Sequence, residues 1–434
     1  MALQYRNERK NKNEKLTDNI LKNMPSFMMD FKRYVSVTKS DTTILSYTRD
    51  LEMFFTYLVD KLNKKKMSEI LVGDLNNLNI MDIKEYESFL STKKKLSNTT
   101  IKRRLSSIST LYTFLNNIGK SKVNPMTNYE YPKAQYSDII YLNAKQTQKL
   151  LDGVLSNKMY IVEKNTGIVD KNGKIKKEKI PIEIPYDLSI KREKDVLRNY
   201  AIFMLFLGTG LRVSELVGID IDDLDFEYDD KEETIGGSVL VSRKGKNMSI
   251  DRVYFGKDVA LSILNYINGE KIDMSIVSKY DERFLPFCYK NAFSKILLDK
   301  AYAEFGYNLP NLGEDIIKVC KCIRMSGRNV YKPKYEEKAL FLSMRGTRIS
   351  VRSIEMIVKE NVLCYLPDLK NKDRISPHKL RSTCATRLLS QTGDILLVSK
   401  QHGHSSPSTT AKFYAQLQED KTKKKISKLD ITDW

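Results

Sequence analysis

All three histidines of the 434-residue chain, His378, His402 and His404, lie in one stretch near its C-terminal end. Imidazole is the side chain best suited to moving a proton near neutral pH. The stretch opens with Pro377-His378-Lys379-Leu380-Arg381-Ser382-Thr383, which reads as the start of a helix. His378 and Arg381 are spaced to share one face of it. A guanidinium stays charged and grips two phosphate oxygens at once. With an imidazole beside it, the pattern suits a phosphate site better than a metal site. Taken alone, the pair reads more simply as a capping or core histidine and a surface ion pair. Gln401-His402-Gly403-His404 lacks a third ligand at zinc spacing. Tyr414, which closes Ser408-Thr409-Thr410-Ala411-Lys412-Phe413-Tyr414, is one of 24 tyrosines, and packing alone would account for it.

Two cationic features lie upstream. Leu207-Gly208-Thr209-Gly210-Leu211-Arg212-Val213-Ser214-Glu215-Leu216 breaks an apolar helix with two glycines, then restarts as a helix bearing Arg212. Such a junction lets backbones approach closely and sets an arginine beside unpaired helical N–H groups, a pocket for an anion. It is no Walker A loop, because no Gly-Lys-Ser/Thr follows. Lys244, in Ser242-Arg243-Lys244-Gly245-Lys246, falls at the tip of an expected hairpin, where it either enters a groove or is simply solvated.

The elements that must position these residues show in the periodicity. Ile44, Tyr47, Leu51, Phe54, Phe55 and Leu58 make one apolar helical face. Ile101, Leu105, Ile108, Leu111, Tyr112 and Leu115 make another, after Ser97-Asn98-Thr99 and stopped by Gly119. Lys102, Arg103 and Arg104 occupy the other faces near that helix's start, as a phosphate-contact cluster or a solvated surface. Helices are expected around 144–156 and 194–207, and a β-hairpin across 238–255 turning at Lys244-Gly245-Lys246. The Pro-containing run 124–138 reads as a linker. The organisation expected is a flexible leader at 1–20, a helical domain at 21–123, that linker, and a domain at 139–414 with insertions near 158–187 and 280–338. A basic tail, 415–434, ends in the only Trp.

Lys plus Arg number 74 against 54 Asp plus Glu, a formal net charge of +20. This excess favours a polyanionic partner, nucleic acid first and an anionic membrane surface second. The longest apolar run, Ala201 to Leu207, is far short of the roughly 20 residues of a bilayer span, and no secretory signal opens the chain. Cys288, Cys320, Cys322, Cys364 and Cys384 are odd in number and irregular in spacing, so reduced thiols, no structural zinc and a cytoplasmic location are expected.

The features are weak singly, but their order resembles the tyrosine recombinase (phage integrase) family. Its first box is similar to Thr209-Gly210-Leu211-Arg212-Val213-Ser214-Glu215-Leu216. Its second is similar to His378-Lys379-Leu380-Arg381-Ser382-Thr383, then Gly403-His404-Ser405-Ser406 and Ser408-Thr409-Thr410 running into Tyr414. Leu340-Phe341-Leu342-Ser343 and Arg345-Gly346-Thr347-Arg348-Ile349-Ser350 also resemble the family's segment before the catalytic helices. His402 departs from the family's usual Leu. The resemblance implies a mainly α fold with a small β-sheet (α+β), in which a helical core-binding domain and a catalytic domain form a C-shaped clamp around DNA. It implies catalytic roles for Arg212, Lys244, His378, Arg381, His404 and Tyr414, with Lys246 the alternative to Lys244 and Glu215 orienting its neighbours. Lys102, Arg103, Arg104, Arg243, Lys246 and Lys379 become candidate DNA contacts. No metal and no cofactor are expected. The implied partners are double-stranded DNA with specific core sites, three further copies of the chain, and accessory DNA-bending or directionality factors. Ile426, Leu429, Ile431 and Trp434 would anchor the tail on a neighbour.

Overall fold

The computed structural model describes residues 2–133, 139–169, 173, 175–183, 195–243, 250–269, 327–334, 337–403, 411, 415, 418 and 419. The chain divides into two compact units near residue 138. The fold is mainly helical, with two small antiparallel sheets. No helix among the described residues is long and apolar enough to cross a membrane.

The first unit is all helix: α1 (Ala2–Leu21), α2 (Phe27–Ser36), α3 (Asp41–Lys61), α4 (Val72–Asn76), α5 (Ile80–Thr92) and α6 (Asn98–Asn117). The apolar stripes of α3 and α6 face one core, where Phe31, Phe54, Phe55, Tyr86, Tyr112 and Phe114 are buried. Ser40 caps α3 by accepting from the backbone N–H of Thr43, and Ser97 caps α6 through Thr100. The polar start of the chain is not a frayed leader but the helix α1. Leu21 is buried in the core, Asn13 donates to Asp41 at 2.6 Å, and Asp18 pairs with Lys32. The first part of the expected linker also belongs to this unit. Prolines stop a helix there, but Met126 and Tyr129 are buried in the core and Asn98 donates to the carbonyl of Lys133 at 3.0 Å.

The second unit begins with α7 (Ala144–Ser156), closed at its start by a reciprocal cap between Asn143 and Gln146. Residues expected as an insertion form a hairpin of β1 (Met159–Val169) and β2 (Ile175–Glu183), exposed along most of its length. Helix α8 (Val196–Thr209) is the apolar centre, with Ala201, Ile202, Phe203, Leu205 and Phe206 buried. A short helix α9 (Val213–Val217) follows, then a sheet ordered β3 (Leu224–Tyr228), β4 (Thr234–Ser242), β5 (Ile250–Gly256). Strand β3 had no signal as clear as the hairpin's. The β4–β5 pairing runs from Gly236 opposite Gly256 to Ser242 opposite Ile250. The chain continues through α10 (Lys257–Asn268), α11 (Val351–Tyr365), α12 (Pro377–Thr392) and α13 (Ile395–His402).

The end of the second expected insertion is core rather than appendage. Tyr331 is buried and donates to Asp195 at 2.8 Å, and Arg328 donates to the carbonyls of Ala339 and Glu337. Residues 270–326 lie outside the described residues, as do Cys288, Cys320 and Cys322. Cys364 and Cys384 are buried.

Candidate active site

The geometry of α8, α9, α12 and α13 brings two of the expected arginines together. Helix α8 ends where Gly210 takes a left-handed conformation (φ +66°), and a Cβ there would overlap the His402 ring. The chain turns sharply and starts α9 with Arg212 in extended backbone as its cap residue. Glu215, in the first turn, accepts from the Arg212 backbone N–H at 2.8 Å and from Arg212 Nη1 at 2.6 Å. One buried carboxylate therefore fixes both the turn and its guanidinium.

Helix α12 starts cleanly at Pro377, a residue suited to the first helical position because its missing N–H would be unpaired there. Thr383 anchors the helix by accepting from the backbone N–H of Leu142 at 3.0 Å. Arg381 is buried on the face that meets α8. It donates to the carbonyls of Gly210 and His402, and its Nη1 lies 3.9 Å from Glu215 Oε2. Burial, then the Arg212 charge, pushes its pKa down to about 10, against a partial opposing pull from Glu215. His378 stands one turn earlier with part of its ring open to solvent. Crowding of that ring by protein, then Lys379, Arg381 and Arg212, hold its pKa below the ordinary histidine value.

The C-terminus of α13 closes this arrangement. Arg212 Nη2 donates to the Gly403 carbonyl at 3.1 Å. Arg243, expected as a DNA contact, is buried instead and turned inward. Its Nη1 donates to the Lys400 carbonyl at 3.0 Å and its Nη2 to the Gln401 carbonyl at 2.6 Å, with Asp251 3.3 Å from its Nε. Gly403 is left-handed (φ +57°), and a Cβ on it would overlap the Arg243 guanidinium. His402, which departs from the family's Leu, is fully buried against Gly210 rather than open to solvent. Arg348 locks the segment after α9 by donating to the carbonyls of Val217 and Ile219 and pairing with Asp220.

Arg212, Arg381 and His378 thus share one locality. Lys244, Lys246, His404 and Tyr414 lie outside the described residues, as do 420–434 of the tail. Lys379 is partly exposed beside His378. In the helical unit Lys102 is exposed, while Arg103 and Arg104 both pair with the buried Asp50. The inward roles of Arg243 and Gln401 had no sequence signal, since their partners are distant in the chain. The glycines beside Arg212 and His404 were the one available hint that something packs tightly there.

Comparison with known proteins places these features. The phage integrase family model matches residues 186–300 and 310–421, and that of the phage integrase N-terminal SAM-like domain matches 28–118. The tyrosine recombinase XerS of Streptococcus equi subsp. zooepidemicus is 26% identical over 424 residues, spanning 94% of this chain and 96% of the relative. The tyrosine recombinase XerC of Caldanaerobacter subterraneus subsp. tengcongensis is 26% identical over 420 residues, spanning 93% and 86%. The Tn1549 transposon integrase, solved in complex with transposon right end DNA, shares the fold at a TM-score of 0.50 and 15% identity, over 96% of this chain and 98% of that one. With a half-exposed Arg212 and a buried Arg381 brought together from the two matching boxes, and more than half of its length matched by the family model, this chain belongs to the phage integrase family and is a tyrosine recombinase.

Proposed function

We propose that the protein recombines duplex DNA at specific sites by breaking and rejoining one strand at a time, and that its substrates are the ends of a phage or other mobile element. The observation that carries this reading is the convergence of Arg212 and Arg381 on one carboxylate and one helix end, with His378 beside them. Each guanidinium has five N–H donors, and the bonds described leave several for the non-bridging oxygens of a phosphodiester. Burial first, and then the Arg212 charge, disfavour the Arg381 cation, and the negative charge of a phosphate would favour it.

In the proposed step, the Tyr414 hydroxyl oxygen attacks phosphorus. The P–O5′ bond breaks and a 3′-phosphotyrosyl ester forms. The phenol, with an ordinary pKa near 10, gives its proton to His378. The departing 5′-oxygen takes a proton from Lys244, with Lys246 the alternative. Arg212, Arg381 and His404 stabilise the charge that builds on the non-bridging oxygens. The ester conserves bond energy, so a 5′-hydroxyl from a second duplex reverses the step and the exchange passes through a Holliday junction. Four protomers assemble on two duplexes, each passing its tail to a neighbour. Lys102 and Lys379, both solvent-accessible, are the phosphate contacts the exposure pattern favours, and binding weakens steeply with salt.

The test uses a nicked suicide duplex carrying the DNA that flanks the gene, incubated in EDTA and run on a denaturing gel. A covalent protein–DNA adduct is expected, absent in Tyr414→Phe. Specific binding with no adduct would replace this reading with a non-catalytic DNA-binding regulator. Relaxation of supercoils without four-armed intermediates would replace it with a type IB topoisomerase.

A further inference from the structure

An α-helix leaves its last four carbonyls without helical partners, and its C-terminal end attracts positive charge. At the end of α13 four successive carbonyls are taken by three arginines. Lys400 and Gln401 accept from Arg243, His402 from Arg381, and Gly403 from Arg212. Two of the three belong to the phosphate clamp. The third, Arg243, lies at the end of the β4–β5 pairing, directly before Lys244 in the chain.

The opposite strand is tied to the same helix end. Gln401 Nε2 donates to the Tyr254 carbonyl at 2.6 Å, and the Tyr254 N–H donates back to Gln401 Oε1 at 3.4 Å. Asp251, also on β5, lies 3.3 Å from Arg243 Nε and joins the two strands at the turn end of their pairing. A guanidinium can span two adjacent carbonyls and a carboxylate at once, whereas a lysine ammonium concentrates its charge at one point. Gly403 is what lets the guanidinium lie flat under the chain.

We infer that Arg243 is a positioning residue for catalysis: it and Gln401 lock the β4–β5 hairpin to the run of carbonyls that aligns Arg212 and Arg381. The register between the hairpin's lysine and the clamped phosphate is thereby fixed. This inference rests on the reading above that a hairpin lysine protonates the leaving 5′-oxygen. The strut carries no proton itself. Without it the lysine is misplaced while the clamp and the DNA contacts stay intact, and misplacement by about 1 Å costs on the order of 100-fold in rate.

The experiment compares two suicide duplexes with the full-length protein, one ordinary and one with sulfur in place of the bridging 5′-oxygen. A thiolate leaves without being protonated. Arg243→Met is expected to cleave the ordinary duplex about 100-fold more slowly than the unsubstituted protein, with unchanged DNA affinity. On the sulfur duplex it should return to within a few-fold of the unsubstituted protein. Arg243→Lys should fall between the two, and Gln401→Ala should show a smaller loss with the same rescue. These two also carry the test if Arg243→Met does not fold. Lys244→Ala and Lys246→Ala run alongside. Equal slowing of the Arg243 and Gln401 variants on both duplexes, while one lysine variant is rescued, would overturn the positioning role alone. If neither lysine variant is rescued, the hairpin acid itself is wrong and the inference goes with it. No slowing in any strut variant would also overturn it.

Discussion

The two units of this protein each bury one carboxylate against two arginines, with opposite electrostatic results. In the helical unit Asp50 is buried on α3, and Arg103 and Arg104 of α6 turn to it. There the cost of burial falls on the acid: Asp50 has its pKa raised, because desolvation outweighs the two guanidinium charges. In the catalytic unit Glu215 faces Arg212 and Arg381, and Arg243 stands close by. There the cost falls on the bases: burial, then neighbouring cations, lowers the pKa of Arg381, and burial lowers that of Arg243. Arg103 reaches solvent and spreads its charge there, whereas Arg381 and Arg243 cannot. The first cluster is a structural ion pair. In the second, burial disfavours the charged arginines, and negative charge building on a phosphate in the transition state would offset that cost.

The comparison is broken most directly at Arg381. Arg381→Lys keeps a positive charge but cannot span the Gly210 and His402 carbonyls and still grip a phosphate. Single-turnover formation of the covalent adduct is expected to slow on the order of 100- to 1,000-fold. Retention of activity within tenfold would mean that the buried excess of charge is not what the reaction uses.

In the helical unit the expected loss is of stability. Arg104→Met leaves a buried carboxylate with one half-exposed partner and should lower the unfolding free energy by about 3 kcal/mol at neutral pH, read by chemical denaturation. Asp50→Asn should cost much less. The folded pKa of Asp50 lies above its ordinary value, so this group favours folding where it is protonated and loses that contribution as pH rises through the folded pKa. Equal losses in the two variants would remove the distinction between the clusters.

The smallest effect concerns His378. Its pKa is lowered by burial first and then by Lys379, Arg381 and Arg212, so the neutral base form persists below the ordinary value of about 6.5. The acid limb of kcat/KM for cleavage, which reports the free enzyme, should lie correspondingly low. Lys379→Met removes one cation and should move that limb to higher pH. A shift the other way, or none, would detach His378 from the cationic cluster. The depressed pKa also means that this group's share of folding stability is present above the ordinary histidine pKa and lost as pH falls through the folded one.

Much of the fold was readable where the signal is local. The stripe from Ile44 to Leu58 became α3, the serine cap and glycine stop around Ile101–Leu115 bounded α6, and the segment beginning at Pro377 became α12. Helix α1 was not readable, because its few anchoring residues meet partners on α2 and α3 rather than each other. The candidate site was readable as residue types in order, Arg212, His378 and Arg381 among them, because phosphate chemistry demands cations and a proton acceptor whatever the fold. Which cations face inward was not. Arg243, Arg104 and Lys102 look alike in sequence, yet one caps a helix whose carbonyls lie more than 150 residues away, one pairs with a buried aspartate and one stays in solvent. The sequence by itself determined the chemistry available and the helices that carry it, since propensity, capping and periodicity act within a few residues. Only the tertiary structure decided which guanidiniums are spent on carbonyls and carboxylates and which are left for a ligand. That choice depends on hydrogen-bond partners brought together from distant segments, and on water being excluded around them.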